Sequence, residues 1–142
     1  MADYKDKLAK IALKRGTILF SEELFKQTVG HPKYFVIIGE DDEGYKGYFY
    51  INSNIHECIQ HKEELIKLQY VIREEDYPFL KYFSYVNCAT LMNFPKHLLK
   101  DCIIKNTVKI EGELKQYDLD NILRSVRDSD IYSPKEKKTY FK

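Results

Sequence analysis

The chain has 142 residues, of which 44% are hydrophobic and 32% charged, with a net charge of +1. This is the size and balance of one folded domain; it excludes a disordered polyelectrolyte and a global field drawing the chain to nucleic acid or membrane, and leaves a local basic face open. No run approaches 18 consecutive apolar residues, and the first fifteen residues carry five cations without an apolar core, so neither a membrane span nor a secretory signal is expected.

In chain order, Tyr4, Leu8, Ile11 and Ala12 fall on one helical face, which predicts an N-terminal helix within residues 1–15 that ends at Gly16. Thr17 to Phe20 is a short strand candidate, and residues 21–30 read as a loop or helical turn closed by Gly30-His31-Pro32. Lys33 to Gly39 is apolar on both faces, the pattern of a central strand. After the charged turn 40–44, Tyr45 to Ile51 completes a hairpin, and Asn52-Ser53-Asn54 breaks it.

Residues 55–68 predict a weakly periodic inserted helix, 69–72 a short strand, and 82–91 a longer one. A helical turn is expected near 95–99, and a last strand at 108–110 ends at Gly112. Leu119, Ile122, Leu123 and Val126 give the clearest helical spacing in the chain. Residues 129–142, with four lysines and one acid from Ser133 onward, read as a frayed basic tail. The sum is a single α+β domain, mainly β, with a small barrel and helices inserted and appended.

Cysteines 58, 88 and 102 are odd in number and lack CxxC spacing, which points to a reducing, cytoplasmic setting. Cys88, flanked by alternating apolar residues, is expected to be buried. His56, Cys58 and His61 match no standard zinc spacing, so no metal site is assigned.

Gly16-Thr17-Ile18-Leu19, the run from Gly30 to Ile38, Tyr50 to Asn54, Phe83-Ser84-Tyr85-Val86, and Ile110 to Leu114 before the final helix together resemble the MazF/PemK (Kid) toxin family, over residues 16–128. The resemblance implies an SH3-like β-barrel that forms a homodimer, is neutralised by a cognate antitoxin, and cuts single-stranded RNA without metal or cofactor. It sets Lys33 at the family's basic position on the phosphate and Ser53 at its catalytic hydroxyl, while His31, two residues before Lys33, is a residue type suited to acid–base work near neutrality. Asn52, Asn54, Tyr50, Tyr82 and Ser84, polar or aromatic residues on the strands and strand ends near this site, are the candidate RNA-binding residues. Two positions depart from the family: Lys33 stands where arginine is frequent, and lysine cannot make arginine's bidentate phosphate contact. Phe83 stands where aspartate is frequent. Both departures favour the alternative of a catalytically silent barrel that binds RNA or a protein partner.

Overall fold

The computed structural model describes residues 13–22, 32–55 and 57–142, together with Tyr4 and Lys7. Tyr4 and Lys7 are helical, whereas residues 13–15, the end of the expected N-terminal helix, form a turn; the remaining residues of that helix, residues 23–31 including His31, and His56 lie outside the described residues.

Among the described residues seven antiparallel strands form one sheet: β1 (Thr17–Ser21), β2 (Lys33–Glu40), β3 (Tyr45–Asn52), β4 (Gln69–Ile72), β5 (Ser84–Asn87), β6 (Met92–Pro95) and β7 (Val108–Glu113). The spatial order is β4-β5-β3-β2-β1-β7. On the edge of β3 away from β2, Tyr45–Tyr48 pair with β6, while Ile51 and Asn52 pair with β5. Four helices accompany the sheet among the described residues: α1 (Glu63–Ile66), α2 (Lys96–Ile104), α3 (Gln116–Asp128) and α4 (Pro134–Tyr140).

The α+β, strand-dominated character agrees with the sequence pattern, but the sheet is open, with β4 and β7 as its edges. Helices rather than further strands complete the core. Ile18, Val36, Ile38, Phe49 and Val86 on one sheet face pack with Ile122 and Val126 of α3 and with Tyr140 and Phe141. On the opposite face Leu19, Phe35, Ile37 and Tyr48 pack with Leu99 and Ile103 of α2. The doubly apolar run in β2 thus reflects its central place between β1 and β3, with helices over both faces.

The β2–β3 turn is closed by Asp41, whose Oδ1 accepts from the Glu43 amide (2.9 Å) and the Tyr45 amide (2.8 Å). Gly44, at φ +88°, supplies the left-handed residue the turn needs.

Four sequence expectations are corrected. Residues 55–68 contain only a short 3₁₀ turn (Glu57–Ile59) and α1, which has no side-chain cap and buries nothing, so no amphipathic face holds a longer helix. The strand expected over 82–91 is only β5, and a separate strand, β6, follows beyond that range. Asn87 breaks it by accepting from the Ala89 amide (3.2 Å) and from Gln69 (2.7 Å), after which the chain turns back to pair with the other half of β3. The expected helical turn near 95–99 extends to Ile104. It ends in a Schellman motif: Thr107 N–H bonds Cys102 O, Asn106 N–H bonds Ile103 O, and Asn106 adopts φ +62°.

The expected frayed tail is instead α4. Its N-terminus is fixed by a capping box in which the Glu136 amide donates to Ser133 Oγ (3.1 Å) and the Ser133 amide to Glu136 Oε1 (3.0 Å). Phe141 is fully buried, which stabilises the docked segment by about 1.5–3 kcal/mol before conformational entropy is subtracted. Arg15 donates to Ile38 O (2.6 Å), Lys142 O (2.7 Å) and Tyr140 O (3.1 Å), and Arg127 Nε donates to Phe141 O. The lysine-rich composition concealed two aromatic anchors.

Candidate functional site

The pairing register decides which side chains meet at the start of β2 and the end of β3. Tyr34 lies opposite Ile51 and Phe35 opposite Tyr50, which sets Lys33 beside Asn52 on the same sheet face as Tyr50. Lys33 Nζ donates to Asn52 Oδ1 and lies 5.3 Å from the centre of the Tyr50 ring. The Tyr50 ring in turn meets Tyr48 edge-on, with centroids 5.5 Å apart. Lys33 is half-buried, and this desolvation pulls its pKa below the ordinary lysine value. An ammonium that has lost part of its water and keeps one amide oxygen is poised to gain from meeting an anion.

Beside this pair lies a cleft of about 530 Å³, with a wall of Phe20, Tyr34, Ile51, Phe79 and Leu80 and a polar rim of Lys33, Asn52, Ser53, Lys81, Tyr82 and Ser84. Phe20 and Tyr34 stand 4.6 Å apart by centroid, and Tyr34 and Phe79 5.1 Å. Lys33 and Lys81 are the cleft's only charged lining residues among those described. A second cleft of similar size, between α1 and the end of α3, is lined by Glu64, Asp128 and Asp130 against one lysine and would repel phosphate.

Of the residues singled out in the sequence, Lys33, Asn52, Ser53, Tyr82 and Ser84 are brought to this one cleft. Ser53 and Tyr82 are exposed. Ser84 is buried, and its hydroxyl donates to the Tyr82 carbonyl (3.2 Å), so it positions the rim. Tyr50 reaches the site through Lys33. Asn54 is exposed and outside the lining. His31 lies outside the described residues, although its chain neighbour Pro32 lines the cleft. Phe79, Leu80 and Lys81 were missed because the stretch after Pro78 carries no periodicity; a lysine set among aromatics was the available signal.

Cys88 is buried, as expected, and burial pushes its thiol pKa far up, which removes it as a nucleophile. Among the described residues there is no group of three or more metal-ligating side chains and no helix long and apolar enough to cross a membrane. No family model matches the chain, and no curated protein matches it.

Proposed function

We propose that this chain is a toxin-like endoribonuclease of the MazF/PemK kind, acting on single-stranded RNA in the cytoplasm without a metal. It would work as a homodimer within a toxin–antitoxin or phage-defence system, under the control of a cognate antitoxin. The reading takes the sheet as that family's SH3-like barrel, left unclosed between β4 and β7. The observation that carries it is the cationic cleft where Lys33, Asn52 and Ser53 meet at the ends of β2 and β3.

In this reading the ribose 2′-hydroxyl attacks the adjacent phosphorus. A base takes its proton, Lys33 stabilises the charge growing on the phosphoryl oxygens, and the 5′-oxygen leaves with a proton. His31 is the acid–base. Asn52 holds Lys33 in place, and Ser53 hydrogen-bonds the phosphate.

One observation favours a second reading, a barrel that binds RNA without cutting it. The described lining of the cleft holds no carboxylate and no imidazole that could move a proton.

The two readings separate on unstructured RNA incubated with the purified protein in EDTA. Cleavage that leaves a 5′-hydroxyl fragment, and that falls about 10²-fold or more in both His31→Ala and Lys33→Ala, is the expected result. Intact RNA, or cleavage indifferent to both substitutions, would sink the nuclease reading.

A further inference from the structure

We infer that the sheet face running from Lys33 and Asn52 to Tyr85 and Phe83 is a platform for unpaired nucleobases, with Phe83 as its outer stacking surface. The inference rests on the RNA reading above.

The register supplies the geometry. Asn52 lies opposite Tyr85, and Tyr85 opposite Val71, so the three stand abreast on one face across β3, β5 and β4. The Lys33–Asn52 hydrogen bond carries the row onto β2. Phe83 precedes Tyr85 by two residues, and their rings meet edge-on at 5.9 Å and 79°. α2 covers the middle of this sheet face, yet at this end Phe83 is 47% and Val71 42% exposed.

The chemistry selects the occupant. A ring braced by a neighbour keeps an open π-face and loses little freedom when a flat group stacks on it. The row begins at the rim of the cleft whose described charges are both lysines, so a strand with its phosphate at Lys33 would meet an aromatic surface next. Cation, amide and aromatic side chains across adjacent strands are what an unpaired nucleotide needs: a charge for phosphate, an amide for a base edge, and a ring for the base plane. The aspartate expected at position 83 is therefore replaced by a group with a different task, contact with a base.

The test is fluorescence anisotropy of the full-length protein with a labelled, 2′-O-methylated single strand, which binds without being cut. Phe83→Ala is expected to weaken binding about tenfold, and Phe83→Tyr to leave it unchanged. One abasic site walked along the strand should produce the same loss at one position, and no additional loss there in Phe83→Ala. Tm should stay unchanged, because Phe83 is exposed.

If Phe83→Ala binds like the parent, or if its loss simply adds to the abasic loss at every position, the platform is overturned while the nuclease reading stands. Binding with these signatures but without cleavage of ordinary RNA overturns the nuclease reading and leaves the platform. A parent protein that binds no single strand overturns both and leaves the exposed aromatics to a protein partner.

Discussion

At the scale of single residues, the proposed role of Lys33 sets function against stability. Its pKa is lowered by burial, so the protonated form is penalised in the folded state. That cost is present at neutral pH and is relieved only as pH rises past the lowered folded value toward the ordinary one. Lys33→Met is therefore expected not to lower Tm at neutral pH, while RNA binding falls roughly tenfold or more through loss of a phosphate contact. A thermal melt and one binding curve check this; a marked fall in Tm would make Lys33 a structural residue. Lys33 and Asn52 were legible in the sequence as polar residues at strand ends. Their direct bond was not, because only the register of β2 against β3 aligns them.

At the scale of elements, α4 is where composition misleads and packing decides. Its end runs so close to β2 that a Cβ placed on Gly39 would lie 2.3 Å from Tyr140 O, and one placed on Gly47 would lie 2.7 Å from the Tyr140 ring. Two glycines facing each other across the β2–β3 pair, where the register slips, open the slot that receives Tyr140. Gly39→Ala must push backbone away, and is expected to cost about 1–3 kcal/mol, or roughly 3–10 °C in Tm. Gly112→Ala, whose Cβ would meet only Phe79, at 3.8 Å, among the described residues, serves as the tolerated control. Equal melts for the two variants would mean that α4 does not dock there. α3, by contrast, was legible from its four spaced apolar residues, because an amphipathic helix writes its buried face into the sequence.

At the scale of the whole molecule, tyrosine hydroxyls join the sheet to its helices. Tyr70 donates to Asp118 Oδ1 (2.5 Å) and Tyr77 to Asp118 Oδ2, while the Lys115 amide donates to Tyr77 Oη (3.0 Å) and Asn121 to Tyr70 Oη (3.2 Å). Tyr132 donates to Cys88 O (2.6 Å), tying the chain after α3 to the core. Burial first, and the Asp118 carboxylate as well, raise the pKa of Tyr70 to about 12; the same causes raise Tyr77. A folded-state pKa above the unfolded one gives stability that is whole below the ordinary tyrosine value and drains away as pH climbs toward about 12. Tm should therefore fall steeply above roughly pH 10, and less steeply in Tyr70→Phe, whose neutral-pH Tm starts lower. Parallel pH profiles for parent and variant would show that this network does not carry the alkaline transition.

The sequence by itself determined the mainly β, α+β character, the β2–β3 hairpin and α3. Each of these is a local pattern: an apolar run, a turn of charged residues closed by glycine, a helical period. Tertiary structure alone decided that the sheet stays open, that the last residues form a helix docked through Tyr140 and Phe141, and that Lys33, Asn52, Tyr85 and Phe83 share one face. The physical reason is pairing register. A shift of one residue in β3 against β5 would turn Tyr85 to the opposite face from Asn52, and nothing in the composition of either strand forbids that shift; the contacts of the packed core do.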